Sequence, residues 1–256
     1  MIKIRKNKKS QITIFIILGI LIFVVITLFF IIKNPPQFSL NDDQNPQSYI
    51  ESCAKEATEE AIDKMLPRGG DVNPKGSVLY EGIERTYLCY TAKYYESCIN
   101  QRPDLIKHLE DEITNDIRGK ISSCFDNIKN NFDESYDVSM GEMYIKTKLY
   151  PKQILVDIKR DFEMRKDESS RKFDEFKVVL VHPLYELSST AIEITNQEAH
   201  FCNFDYLGFM IIYPKYDIDK FETGDGDTIY TIRDRSTNKE FVFAIRSCVL
   251  PPGILV

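Results

Sequence analysis

The fold of this chain is decided by Pro103–Asn131, PDLIKHLEDEITNDIRGKISSCFDNIKNN. The apolar residues of this stretch recur every three or four positions, which places them on one face of a long helix. They are Ile106, Leu109, Ile113, Ile117, Ile121, Cys124 and Ile128. Pro103 suits the first turn, because a backbone N–H has no helical partner there. A continuous apolar stripe of this length needs a second element to cover it.

A second amphipathic helix at residues 48–65 is the nearest candidate for that cover. Its apolar residues also recur at intervals of three and four. They are Ile50, Cys53, Ala54, Ala57, Ala61, Ile62 and Met65. The sequence LPRGG at residues 66–70 ends this helix. Because Cys53 and Cys124 lie on the two apolar faces, we predict an antiparallel helix pair joined by a Cys53–Cys124 disulfide.

The segment between these helices is rich in tyrosine. Ser77–Cys98, SVLYEGIERTYLCYTAKYYESC, is typical of a short β-hairpin or an irregular excursion. Amphipathic rings crowded together in this way favour a recognition surface. The five rings are Tyr80, Tyr87, Tyr90, Tyr94 and Tyr95. In the alternative interpretation, half of them pack against the helices and the rest have no specific role.

Beyond residue 135 the apolar period changes from helical to two, as expected for half-buried strands. Residues 155–164, LVDIKRDFEM, alternate in this way and are flanked by strand-like stretches at 143–150 and 176–180. Together they predict an antiparallel β-sheet, a meander with one exposed face. Pro183 then opens a helix that we expect to lie across the sheet.

The last part of the chain is predicted to return to strands. Phe209–Tyr213, FMIIY, is a compact apolar run. Residues 227–233 and 239–246 flank the turn sequence DRSTN, which indicates a hairpin. The predicted fold class is therefore α+β, with an antiparallel helix pair and an antiparallel β-sheet covered by one helix.

An apolar segment precedes all of these elements. Ile12–Ile32, ITIFIILGILIFVVITLFFII, contains 21 residues and no charge. At about 1.5 Å of rise per residue, such a helix spans roughly 31 Å, the thickness of a bilayer core. Five basic residues precede it and one lysine follows, which predicts a cytoplasmic N-terminus and an extracytoplasmic bulk. A cleaved secretory signal would need a shorter apolar region and a small-x-small exit, whereas this run exits through IIKNPP at 31–36.

The start of this segment resembles a known type of signal. Lys8-Lys9-Ser10-Gln11, followed by ITIF, resembles the class III, or prepilin-type, signal segment of archaeal surface proteins. The resemblance implies cleavage between Ser10 and Gln11, with the apolar helix left attached. Pilin subunits usually carry Glu at the fifth residue after the cut, where this chain has Phe15, and NPP at 34–36 stops the helix early. These departures favour a small membrane-anchored surface protein over a filament subunit.

The predicted organisation of the chain has five parts. Residues 1–11 form a cytoplasmic basic tail, 12–33 a transmembrane helix and 34–46 a polar spacer. Residues 47–134 form a helical region with the tyrosine-rich excursion, and 135–256 form an α+β region. Residues 34–256 carry 27 basic and 39 acidic residues, a net charge of −12. Nucleic acid is therefore not an expected partner.

All six cysteines lie beyond the apolar segment, where an even number predicts disulfides. Six cysteines permit fifteen pairings, and sequence alone does not choose among them. In addition to Cys53 and Cys124, Cys89 and Cys98 are spaced to close the tyrosine-rich loop. Cys202 and Cys248 flank the last block of strands and are placed to tie its ends together.

The sequence contains no recognisable catalytic motif: GxSxG, HExxH, P-loop and dinucleotide fingerprints do not occur. CxxC pairs are absent and the three histidines, His108, His182 and His200, are scattered, so no zinc site is predicted. The acidic residues between 217 and 227 lack the spacing of a twelve-residue calcium loop. We expect no cofactor, no metal site and no catalytic residues.

Three functions fit this sequence. The favoured one is a single-pass, membrane-anchored, extracytoplasmic protein that binds or assembles with surface proteins or envelope components and is non-catalytic. The first alternative is a surface hydrolase that acts on envelope polymers or peptides through dispersed carboxylates. The second alternative is a minor pilin-like subunit.

The N-terminus of the mature chain tests the signal resemblance. The resemblance implies a mature chain that begins at Gln11, after the small residue Ser10 and the preceding lysines, and the pilin-like alternative requires this cut. Intact-mass measurement of the protein from its native membrane checks this expectation. A mature chain that still begins near Met1 would contradict it and would remove the pilin-like alternative.

Overall fold

A computed structural model describes residues 45–132 and 135–249, together with two isolated helical positions, Gly19 and Ile22. The predicted cleavage site at Ser10 and Gln11, and the predicted transmembrane helix apart from those two positions, lie outside the described residues. Within the described ranges, no helix is both long enough and apolar enough to cross a membrane. Residues 45–249 belong to one compact unit.

Residues 45–132 and 135–249 contain four α-helices, a short 3-10 turn at Leu66–Arg68 and ten strands; the α-helices and strands are numbered here in chain order. The helices are α1, Pro46–Met65; α2, Leu105–Phe132; α3, Leu184–Phe201; and α4, Tyr206–Ile212. The strands before residue 135 are β1, Ser77–Tyr80; β2, Ile83–Tyr90; and β3, Ile99–Asn100. The next four are β4, Asp137–Met140; β5, Tyr144–Tyr150; β6, Gln153–Lys166; and β7, Ser169–Val181. The last three are β8, Tyr216–Glu222; β9, Thr228–Asp234; and β10, Glu240–Arg246.

The two long helices form the antiparallel pair that the sequence predicts. The side chain of Asn45 caps α1 by accepting a hydrogen bond from the Gln47 N–H. Contacts between the helices join early residues of α1 to late residues of α2 and the reverse. They are Cys53 with Cys124, Glu60 with Lys120, and Lys64 with Asp116. The apolar stripe of α2 is buried almost completely, with Ile113, Ile117 and Ile121 fully inaccessible.

All six cysteines are paired in the structure. The pairs are Cys53–Cys124, Cys89–Cys98 and Cys202–Cys248, with Cα–Cα distances of 6.4, 5.4 and 5.7 Å. The first is the disulfide predicted between the two helices. The second closes the tyrosine-rich loop, and the third joins the two ends of the last block of strands, as their positions in the sequence suggested. Three disulfides in one domain indicate an oxidising, extracytoplasmic environment.

The predicted meander forms a four-stranded antiparallel sheet. The long strand β6 pairs with β7 along one edge and with β5 and β4 in succession along the other. Alternate residues of β6 are buried, which produces the period of two seen in the sequence. Between Lys159 and Phe162 the register with β7 shifts, but the even-numbered positions of β6 remain the less exposed ones. The ring of Phe125 on α2 packs edge-on against Phe176 of β7 at 5.2 Å and so joins helix to sheet.

A second sheet was not predicted as a separate unit. Its strand order is β1-β2-β10-β9-β8, with β3 added beside β2, and β2 runs parallel to β10. The expected single antiparallel sheet is therefore two sheets, and the second one is mixed. The predicted boundary between the regions 47–134 and 135–256 also divides this sheet, because β2 lies before the boundary and pairs with β10, which lies after it. Buried residues on both faces of β10 explain this arrangement, since such a strand needs neighbours along both edges.

Two elements near residue 200 depart from the expectations. Helix α3 begins after Pro183 as predicted, but it packs mainly on β2, β9 and β10 of the mixed sheet and only partly on the meander. The prediction of a strand at Phe209–Tyr213 is wrong, because this run belongs to helix α4. The Asp205 side chain begins that helix by accepting a hydrogen bond from the Gly208 N–H.

His182 caps the start of α3 and is not exposed for catalysis. Its Nδ1 accepts a hydrogen bond from the Leu184 N–H at 3.0 Å, and the ring is buried. Burial, followed by the nearby charge of Lys239, lowers the pKa of His182 to about 4. Acceptance at Nδ1 requires the neutral ring, and the lowered pKa keeps the ring neutral at neutral pH.

We expect this cap to make the domain sensitive to mild acid. The unfolded chain takes up a proton on His182 near pH 6.5 and the folded chain near pH 4, so stability is lost as the pH falls between these values. Urea unfolding at several pH values should show this loss. His182→Asn keeps an acceptor that does not titrate and should flatten this part of the profile. His200→Asn, at an exposed position, is the control and should leave the profile unchanged.

The helix disulfide should contribute most to stability. Cys53–Cys124 links residues 71 apart, so replacing both by Ala should cost about 4 kcal/mol in the chain-entropy model. Replacing Cys89 and Cys98, only 9 apart, should cost about 3 kcal/mol. Chemical denaturation measures both losses. A larger loss for the short-loop pair would contradict the prediction, as would the absence of a free thiol in Cys53→Ala alone.

Candidate functional site

The five tyrosines singled out in the sequence fall into two groups. Tyr80 and Tyr87 lie on the face of the mixed sheet that is turned away from the main core, where they are partly buried. They pack there on Ile229, Val242 and Ala244, which form a small second core. The rings of Tyr80 and Phe221 lie 5.3 Å apart although β1 and β8 are the opposite edges of the sheet. The sheet therefore curls, and these two tyrosines mainly support it.

The remaining three rings form an exposed group that we call the tyrosine edge: Tyr90, Tyr94 and Tyr95. Their exposed fractions are 37%, 56% and 55%. Tyr90 ends β2 and contacts Tyr87 edge-on at 4.9 Å, so the tyrosine edge continues from the curled face. The structure thus exposes three of the five predicted residues, all within residues 90–95.

The loop that carries Tyr94 and Tyr95 is fixed at both ends. Cys89–Cys98 closes it, and the Thr91 N–H donates to the carbonyl of Arg246 at 2.9 Å. Further along, the Cys248 N–H donates to the Glu96 carbonyl at 2.9 Å, which joins the loop to the end of β10. Cys248 is itself bonded to Cys202 at the end of α3. Two disulfides and a sheet therefore hold the backbone of this loop in place.

A polar cavity of about 400 Å³ lies beside the tyrosine edge, and we call it the disulfide cavity. The Cys202–Cys248 bridge forms part of its wall, and Val249, which forms a parallel bridge with Tyr94, lies between the two features. Its polar lining includes Glu198, Lys220, Glu222, Asp227, Thr228 and Ser247. Helix α3, strand β8, the turn before β9 and the segment after β10 thus place these groups around one opening.

Glu198 is the most buried acid of this cavity. It lies on α3 and accepts a hydrogen bond from the hydroxyl of Tyr230 on β9. Lys220 Nζ lies 3.9 Å from a Glu198 carboxylate oxygen and 3.2 Å from one of Glu222. Burial, and then the charge of Glu198, raises the pKa of Tyr230, so this phenol stays protonated and remains a donor.

Asp227 connects the disulfide cavity to the tyrosines. Its carboxylate accepts a hydrogen bond from the Tyr87 hydroxyl at 2.9 Å and lies 3.2 Å from the Arg246 guanidinium. Burial, and then the hydrogen bond to Asp227, raises the pKa of Tyr87. The buried carboxylates of the cavity are thus already engaged by donors. Such an arrangement suits a fixed, polar recognition surface better than proton transfer.

Other acidic groups are also paired. Asp217, one of the acids considered for calcium, forms ion pairs with Arg233 and Arg235 at 3.1 and 3.3 Å. Across residues 45–132 and 135–249, no group of three or more His, Cys, Asp or Glu residues is arranged to hold a metal ion. A second cavity, of about 350 Å³, lies against the meander and is lined by acids such as Asp161 and Glu175. These two pair with lysines on β7.

Sequence reasoning missed a buried polar cluster around Asp71. This carboxylate accepts hydrogen bonds from Thr86 at 2.9 Å and Arg102 at 3.2 Å, and it contacts the His108 ring. Burial alone would raise its pKa, but the hydrogen bonds from His108 and Thr86 outweigh burial and lower it. The cluster fastens the loop after α1 to β2 and α2. No sequence motif marks it, because its members are brought together only by folding.

Comparison with known proteins adds no assignment: no protein-family model matches the chain, and no curated protein matches it either. The function of the chain is therefore inferred from the tyrosine edge and the disulfide cavity.

The donor to Glu198 should be important for stability. Tyr230→Phe removes one hydroxyl and leaves a buried carboxylate short of a partner, which should cost about 1–3 kcal/mol. Tyr216→Phe is the matched control, because its hydroxyl makes a long contact of 3.4 Å with the uncharged Glu186 carbonyl. Denaturant unfolding of both variants measures the difference. Equal losses would contradict the assigned role of the Tyr230–Glu198 bond.

Proposed function

We propose that this protein is a membrane-tethered, extracytoplasmic binding or assembly protein of the cell surface. The apolar segment 12–32 is its anchor, with the N-terminus in the cytoplasm, and the disulfide-bonded domain faces outward. The prepilin-type resemblance at Ser10–Gln11 supports a surface location of the archaeal kind. Phe15 and the NPP sequence after the apolar segment support a tether over a filament subunit.

The tyrosine edge is the observation that carries this proposal. A loop whose backbone is already held by disulfides loses little backbone freedom when a partner covers its rings, so more of the contact energy appears as affinity. Tyrosine contributes apolar area and one hydroxyl at each position, a combination typical of binding hot spots. An exposed group of this kind on a rigid loop is costly for a domain that has no partner.

The partner is best described as a surface protein or an envelope component with both apolar and hydroxyl- or amide-bearing groups. The tyrosine edge supplies stacking faces, and the adjoining disulfide cavity supplies carboxylates, a lysine and hydroxyls for hydrogen bonds. The hydrolase alternative has weaker support, because Glu198 and Asp227 already accept hydrogen bonds from tyrosines. The net charge of −12 on residues 34–256 disfavours a polyanionic partner.

Site-specific photocrosslinking tests the proposal. A photoreactive phenylalanine analogue at position 94 should capture a discrete surface component when the full chain is expressed in its native membrane. The matched control places the same analogue at position 150, where Tyr150 is also exposed (43%) but belongs to the meander. The expected result is a specific adduct from position 94 that is lost when Tyr90 and Tyr95 are both replaced by Ser. Equal adducts from the two positions, or none from either, would contradict the proposal.

A further inference from the structure

Helix α4 is apolar on both of its faces. Tyr206, Phe209 and Met210 point inward and pack against the main core. Leu207, Ile211 and Ile212 lie on the opposite side, at the spacing of one helical face. A helix that is apolar all around is normally buried, so the outer face of α4 needs a cover that the described part of the domain does not provide.

The outer face is among the most exposed apolar surfaces of the domain. Ile211 is 81% exposed, Ile212 70% and Leu207 58%. Phe201, the last residue of α3, is 75% exposed and lies only a few residues before α4. Tyr213, directly after the helix, is 47% exposed. Exposed aliphatic side chains bordered by a tyrosine are the composition that proteins use at a membrane–water interface.

Charge also distinguishes this helix from the rest of the surface. Although residues 34–256 carry a net charge of −12, no acid occurs between Asp205 and Asp217. The one ionised residue of that interval is Lys215, which follows the helix and is exposed. An acidic domain approaching a bilayer meets less repulsion from anionic headgroups through a segment that carries no acid of its own and is followed by a lysine.

The tether is long enough to allow such an approach. The twelve residues 33–44 between the apolar segment and the domain reach at most roughly 42 Å when extended. A compact domain of about 200 residues has a radius of gyration of roughly 17 Å, and so a diameter close to that reach. The tether also makes contact with lipid an intramolecular event at high effective concentration.

We infer that the outer face of α4, formed by Leu207, Ile211 and Ile212, rests in the headgroup–acyl boundary of the membrane to which the chain is anchored. The occupant of this face is therefore lipid. The contact orients the domain on the membrane and leaves the tyrosine edge, which is carried by a different loop, free for a partner. This inference rests on the proposed membrane tether.

Tryptophan fluorescence tests the inference, because the natural chain contains no tryptophan. The full-length chain with Ile211→Trp is reconstituted into phosphatidylcholine vesicles with a minor share of phosphatidylglycerol. A second preparation uses the same lipids brominated along the acyl chains, which quench tryptophan only on contact. Val181→Trp is the matched control, because Val181 is equally exposed (83%) but ends a strand of the meander.

The expected result is a blue-shifted emission from Ile211→Trp that brominated lipid quenches, with neither effect in Val181→Trp. Emission from Ile211→Trp that matches the control would overturn the inference. A blue shift that brominated lipid does not quench, and that grows with protein density, would assign the face to a second copy of the chain and also overturn it. Vesicle flotation after alkaline extraction separates the two proposals. If the chain stays with lipid but its tryptophan is not quenched, the proposed tether stands and the proposed α4 contact fails. If the chain is extracted from the vesicles, the proposed tether itself fails.

Discussion

The burial of the apolar stripe on α2 is the contact on which the rest of the domain depends. One side of the helix packs on α1, to which Cys124 is bonded, and another side packs on the meander through Phe125 and Phe176. Glu110, also on α2, is buried and accepts hydrogen bonds from the Leu149 N–H and from Lys148 on β5. The loop after α1 reaches the same helix, where Gly70, at a φ of +92°, leaves no room for a Cβ beside Leu109. Helix α1, the meander and the loop after α1 therefore all meet α2, and that loop also lies against Phe241 of β10.

This arrangement explains how a chain with two sheets remains one compact unit. The meander is held by local pairing between neighbouring strands, whereas the mixed sheet joins β2 to β10 across most of the domain. Long-range parallel pairing is costly in loop entropy and needs a pre-existing surface to favour it. The helices supply that surface, and the disulfides at Cys89–Cys98 and Cys202–Cys248 fix the edge where the two strands end. The tyrosine edge is rigid for the same reason.

The sequence patterns predicted the parts of the fold whose causes are local. Three kinds of local signal indicated the correct element, because each depends only on neighbours in the chain. They are the spacing of apolar residues in α1, α2 and β6, the turn residues of the last hairpin, and Pro183 before α3. The prediction at Phe209–Tyr213 was wrong because a short apolar run fits a strand or a helix equally well. The hydrogen bond that Asp205 accepts at the start of α4 favours the helix. The β2–β10 pairing and the Asp71–His108 contact join residues far apart in sequence, so no local signal reveals them. The tyrosine cluster was visible in the sequence, but its division into supporting and exposed rings required the fold.

Native-state hydrogen exchange shows most directly whether burial of the α2 stripe holds both sheets together. We expect amides of α2 around Ile117, of β6 and of β10 to exchange last and at one common free energy, equal to that of global unfolding. If the amides of α2, β6 and β10 all exchange at this one free energy, neither sheet survives without α2. Exchange of β10 at a free energy well below that of α2 and β6 would contradict this dependence, because the mixed sheet would then unfold on its own.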